Sequence, residues 1–165
     1  MTSNPASPDN FVEQARAFMQ AQKTMSLSSV DAGGAPHISY APYLHHTDGC
    51  FYIYISQLAA HHETINLGAV SAMIIRDENQ SSNLFARMRI TFDCAVTKID
   101  KSSHAETEIL DLFAKRQGKV VSLLRALPDF SLMQLQPKTA LFVKGFGDAH
   151  HLDDALHLLV PTDAL

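Results

Sequence analysis

The chain has 165 residues, 46% of them hydrophobic and 18% charged, which suffices for one domain with a full core. A formal net charge of −4, with nine histidines uncounted and no long Lys/Arg run, argues against nucleic acid or an acidic membrane surface as partner, yet leaves room for a small anionic ligand held by local positive charge. No apolar run approaches the roughly 18 residues of a membrane span, no leader pattern opens the sequence, and Cys50 and Cys94 make no CxxC or zinc spacing, so a cytoplasmic protein with two small, strand-borne buried cysteines is expected.

Residues 1–8 are rich in Ser, Pro and Asn and read as a disordered tail, leaving residues 9–165 as a single domain with a C-terminal tail. A first helix is expected to start with Asn10 as cap and Glu13 three residues on, with a mostly apolar stripe through Phe11, Val12, Ala15, Phe18, Met19 and Gln22. From Thr24 the period changes to two: TMSLSSV, a turn at Asp31 to Gly34, and PHISYAPYL predict a hairpin. Pro36 and Pro42 make its second arm an edge strand or take it out of the sheet at Pro42. In CFYIYIS, Phe51, Ile53 and Ile55 alternate with Tyr52 and Tyr54, so one face is expected in the core. The segment QLAAHHETINLG predicts a short helical connector closed by Gly68, and AVSAMII reads as a strand apolar on both faces, buried twice over or lying at a subunit contact.

The run Asn83 to Ile99, NLFARMRITFDCAVTKI, carries the cleanest alternation in the chain. As one strand, it places Met88, Ile90, Phe92, Cys94 and Val96 on an apolar face and Arg87, Arg89, Thr91 and Asp93 on the other. Side chains two residues apart on a strand lie roughly 6.6 Å apart and point the same way, so the two arginines suit a phosphate or carboxylate ligand. A solvated outer face is the plainer reading. Beyond it, Ser103 and Glu106 make a capping box for a helix that Gly118 stops, a second short helix ends before Pro128, and DFSLMQLQP and TALFVKGFG predict two last strands. Gly145 and Gly147 fall on one flat face of the final strand, and Asp154 to Leu159 predicts a helical turn in the tail. Short antiparallel strands at this spacing, with helices inserted, predict a small barrel of α+β class.

Three His-His pairs stand out, at 45–46, 61–62 and 150–151. Neighbouring side chains diverge on a strand or a helix, so no pair supplies two ligands to one ion; an axial bond to haem iron needs only one imidazole. No GxSxG nucleophile motif and no phosphate-binding glycine loop is present. Side chains must therefore hold any phosphate: Arg87 and Arg89, with Ser56, His61, His62 and Thr64 of the connector close to a helix N-terminus.

The order FYIYIS, LAAHHETINL, SAMII with an acidic loop, FARMRITFDCAV, PDFSLMQL and FVKGFGDA resembles the haem-utilisation proteins of the HugZ/HutZ type, in the FMN-binding split-barrel superfamily that includes pyridoxamine 5'-phosphate oxidases. The similarity covers about residues 10 to 150. It implies a six-stranded antiparallel split β-barrel and a homodimer with ligand pockets between the subunits. In haem-degrading members, basic residues hold the propionates, a tail histidine ligates iron and an aspartate matching Asp129 tunes that ligand across the interface. Arg87 and Arg89 match the anion-holding positions, and the segment VPTDAL has no histidine after ALHLL, so His157 is the first candidate ligand, followed by His151 and His150. Flavin-binding members imply FMN instead, its phosphate between the same arginines and the connector. Three readings follow from the resemblance: a haem-degrading oxidoreductase for iron acquisition, an FMN-binding oxidoreductase or flavin carrier, and a haem storage or delivery protein without turnover.

Overall fold

The computed structural model describes residues 8–161, so the tail expected over residues 1–8 lies outside the described residues except for Pro8. Helix α1 spans Pro8–Ala21, beginning two residues before the expected cap. Proline suits the first helical turn because its missing N–H has no partner there in any case. Asn10 is thus a helical residue, and its side chain accepts from the Gln14 amide one turn on. Val12, Ala15, Phe18 and Met19 form the buried stripe.

Strands β1 (Thr24–Val30) and β2 (Pro36–Pro42) pair as the predicted hairpin. Asp31 holds its turn, its Oδ1 accepting from the Gly33 and Ala35 amides at 2.8 and 2.9 Å. The short β3 (Leu44–His45) leads through a turn to β4 (Phe51–Ser56), and the connector forms α2 (His61–Ile65), followed by Gly68 at φ +98°. Strand β5 (Ala69–Ile75) buries Val70, Ala72 and Ile74 and leaves Ala69 and Ser71 exposed on the other side. Strand β6 (Arg89–Lys98), helices α3 (His104–Gln117) and α4 (Val120–Arg125), the long β7 (Phe130–Gly145) and β8 (Asp148–His151) complete the set, and a 3₁₀ segment at Asp153–Leu158 supplies the helical turn in the tail. All strands join one antiparallel sheet in the order β2-β1-β5-β6-β7-β4-β3, with β8 on the far half of β7. The sheet curls into a half-barrel, which meets the expected α+β split-barrel class with eight strands rather than six.

Several local expectations change. The central strand is shorter than its pattern: the Asn83 side chain accepts from the Phe85 amide and winds Leu84–Ala86 into a 3₁₀ turn, so the ladder starts at Arg89. The DFSLMQLQP and TALFVKGFG segments are one strand, because Pro137 falls at the bulge opposite Asp93 and Cys94, where no ladder donor is required. Gly147 lies in the β7–β8 turn at φ +70°, a backbone region open to glycine, and not on a strand face. Finally, β4 is buried on both sides. Phe51, Ile53 and Ile55 enter the barrel core with Ile90, Phe92 and Phe142, while Tyr52 and Tyr54 pack in a second cluster with Ile109, Leu110, Phe113 and Val121 of the inserted helices. Cys94 belongs to β6, whereas Cys50 lies in the turn before β4; both are buried free thiols.

Candidate functional site

The site begins where β5 and β6 end together. Ile75 pairs with Arg89, and the ladder runs one step further, the Arg76 amide donating to the Met88 carbonyl at 2.9 Å. Met88 packs on the core, so Arg87 and Arg89 alternate outward on either side of it. Their stems are tied down: Arg87 Nε donates to the Arg76 carbonyl at 2.7 Å, and Arg89 Nη1 donates to the Arg87 carbonyl at 3.1 Å. Arg76 lies over the Phe18 ring, 6.0 Å from its centroid, and donates to the Met88 sulfur. Among the described residues no carboxylate pairs with Arg76, Arg87 or Arg89. In a chain of net charge −4, three unneutralised guanidinium groups around one strand end make a place for an anion. Arg76 escaped the sequence reading because its neighbourhood depends on β5–β6 register.

From Arg89 the outer face of the sheet continues through Thr91 to Leu141 of β7 and His151 of β8, which are paired in register. Thr91, Asp93, Thr139, Leu141, His151 and Asp153 line a shallow groove of about 290 Å³. His151 is exposed, and its closest charged neighbour is the Asp153 carboxylate at 4.0 Å. Two strand spacings and two residues of rise place the Arg89 and His151 backbones roughly 12 Å apart. The two arginines and one of the candidate histidines therefore share a face.

The connector residues do not join them. Thr64 is buried, its hydroxyl within 2.6 Å of Ser29 Oγ and donating to the His61 carbonyl. Ser29 is next to Ser28, the β1 residue opposite Ser71 near the start of β5, whereas Arg89 faces Ile75 at its end. Four strand residues separate the two positions, roughly 13 Å along the sheet. Ser56 and Asp129 occupy the connector's end: the Ser56 hydroxyl donates to Asp129 Oδ2, and the Gln57 amide donates to the Asp129 carbonyl at 2.7 Å. Asp129 Oδ1 has no partner among the described residues. His62 is buried with its ring against the Asn66 amide, and burial, reinforced by Lys98, holds its pKa below the usual imidazole range. His61 is shifted the same way by burial, and its Nε2 is buried without a hydrogen bond. Helix α2 has no side-chain cap. Within one chain, then, the phosphate constellation of Ser56, His61, His62 and Thr64 with the arginines is divided between two ends of the barrel.

A family model described as pyridoxamine 5'-phosphate oxidase matches residues 11–144. The chain belongs to the pyridoxamine 5'-phosphate oxidase family. Within it, the chain is of the HutZ type: it is 37% identical over 149 residues to a Vibrio cholerae protein named haem oxygenase HutZ, spanning 87% of this chain and 84% of that one. The crystal structure of HutZ from Vibrio cholerae, described as a haem storage protein, has a TM-score of 0.76 at 36% identity, covering 80% of this chain and 93% of the other. Campylobacter jejuni ChuZ shares the fold, with a TM-score of 0.84 at 23% identity over 97% and 68% of the two chains.

This oxidase-family chain holds its remaining tail candidates apart from the groove. His157 sits on the 3₁₀ segment and lines a different cavity, of about 380 Å³, beside His45, Gly49, Phe51 and Phe92. His150 stacks on Phe11, centroids 3.7 Å apart, and its Nε2 contacts Asp148. Of the tail histidines, His151 shares the arginines' face, although tail position alone ranks His157 first.

Proposed function

We propose that this protein binds haem on the outer face of its barrel, in a pocket completed by a second copy, and degrades it with oxygen to release iron. The observation that carries the reading is the 37% identity, over most of both chains, to a protein named haem oxygenase. The residues present fit the group: Arg87 and Arg89 have no carboxylate partner among the described residues and suit propionates, and His151 offers an exposed imidazole on the same face. Haem, when bound, supplies the redox-active iron and the ring that is cleaved. The arginines would hold it by its carboxylates, and His151, ahead of His157, would supply the imidazole for its iron. Asp129, braced by Ser56 and with Oδ1 open, is a positioning residue that accepts a hydrogen bond from the imidazole of the opposite copy.

Haem titration of the purified protein tests this directly. A stoichiometric Soret band is expected that shifts in His151→Ala and stays in His157→Ala, then decays with ascorbate and oxygen. A band indifferent to every tail histidine removes the ligation scheme. A stable band that survives reductant and oxygen points instead to haem storage, the role in the description of the HutZ structure.

A second reading is FMN binding, favoured by the family match over residues 11–144 and by arginines that suit phosphate as well as propionate. It has less support from the connector, whose Thr64 and Ser56 hydroxyls are already hydrogen-bonded inside the chain. Competition between FMN and haem on one preparation separates the two.

A further inference from the structure

The 380 Å³ cavity beneath the tail is unused by the haem reading. Phe51 and Phe92 of the barrel core and Leu156 and Leu159 of the tail give it apolar surface, beside the polar Thr47, Asp48, Gln136 and His157. The tail is fastened over it: Arg16 donates to the Leu158 carbonyl, and Asp153 accepts from the Ala140 amide at 2.7 Å. His45 stands in this wall, 7% exposed, its ring stacked on Phe51 with centroids 4.5 Å apart. Neither ring nitrogen makes a hydrogen bond among the described residues, and Nδ1 is fully buried. A buried imidazole nitrogen without a partner is uncommon in a packed interior and points to a partner that enters from the cavity.

The surrounding chemistry narrows the ligand. Burial holds His45 neutral, its pKa brought down to about 4, with Arg116 adding to the effect. Asp48 is already engaged by the Cys50 amide at 2.8 Å, the Tyr52 hydroxyl at 2.6 Å and His46 at 3.3 Å. The Cys50 thiol is pushed up to about 11 by burial and by Asp48, so it offers no thiolate. Among the described residues no three His, Cys, Asp or Glu side chains converge as for a metal ion. The cavity thus presents apolar surface, the buried imidazole of His45, the His157 side chain at its rim, and an Asp48 carboxylate already hydrogen-bonded within the chain. Its volume falls at the lower end of small-molecule pockets, which run from about 300 to 1,000 Å³.

We propose that this cavity is a binding site for a small, uncharged, largely apolar molecule carrying a hydroxyl group, with His45 as the hydrogen-bond partner that selects the hydroxyl. The site lies inside one chain and does not depend on haem binding. Phenol and benzene serve as probes, followed by NMR shifts of the Leu156, Leu159 and Val160 methyl groups in the full-length protein. Saturable 1:1 binding is expected, with phenol about fivefold tighter than benzene for one net hydrogen bond. His45→Phe keeps the ring stacked on Phe51 and should erase that preference while retaining benzene. Leu156→Trp fills the cavity and should abolish both ligands while the haem Soret titration is unchanged. Absence of saturable phenol binding to the wild-type protein overturns the site, and a phenol preference that survives in His45→Phe overturns the role of His45. Should His45→Phe not fold, Leu156→Trp decides alone: phenol shifts that persist unchanged in it place the probe elsewhere. The haem titration reads the outer face separately, so either idea can fail without the other.

Discussion

Arg87 and Arg89 matter because no carboxylate among the described residues neutralises them. A charge-assisted hydrogen bond is worth about 1.5–3 kcal/mol, so Arg87→Ala should weaken haem by roughly tenfold or more, read as a rise in Kd in the Soret titration. An unchanged Kd would place the propionates elsewhere. His45 makes a prediction of another kind. Its folded pKa is about 4, whereas in the unfolded chain it titrates near 6.5. Between those values the unfolded state binds more protons, so stability is fully present above about pH 6.5 and falls as pH drops toward 4. The whole window corresponds to something on the order of 3 kcal/mol. The urea midpoint should therefore fall between pH 7 and pH 5, and His45→Phe should flatten that dependence; equal slopes in the two proteins would remove His45 as the cause.

At the scale of elements, the inserted helices are what make β4 a two-sided strand. Ser103 caps α3 by accepting from the Glu106 amide at 3.0 Å, and Glu106 returns a carboxylate oxygen to the Ser102 amide at 2.6 Å. Gly118 ends the helix at φ +92°. These signals were plain in the residues themselves, because caps act over three or four positions. Ser103→Ala should cost about 1 kcal/mol in urea unfolding. Phe113→Ala should cost about 3–5 kcal/mol, since Phe113 is buried in the cluster under Tyr52 and Tyr54. If its loss were no larger than that of Ser103→Ala, the second cluster would not support β4.

For the whole molecule, the outer face of the barrel carries unusual exposure. Ile38 is 83% and Tyr40 64% exposed on β2, and the same face continues through Ser28, Ser71 and Met73 with Asp93 and Arg89 as its charges. An open apolar edge of this kind invites a second surface. We expect a solution mass of twice 18.2 kDa by sedimentation, reduced to the monomer by Ile38→Glu, with stoichiometric haem binding lost at the same time. A wild-type monomer that binds haem normally would dispose of the interface pocket.

What the sequence alone determined was local or periodic. The α1 stripe, the Asp31 hairpin, the α3 cap and the Met88–Val96 alternation each depend on neighbours a few residues apart, and the family resemblance followed from such segments in order. What only the tertiary structure decided was register and partnership across the sheet. The run through Pro137 stays one strand because a bulge relieves the missing donor, Arg76 joins the arginines because its amide pairs with Met88, and His151 shares their face because β8 folds back on β7. Side-chain alternation says which face a residue takes, but strand pairing alone sets which distant residues share that face, and pairing is fixed by the packing of the whole barrel.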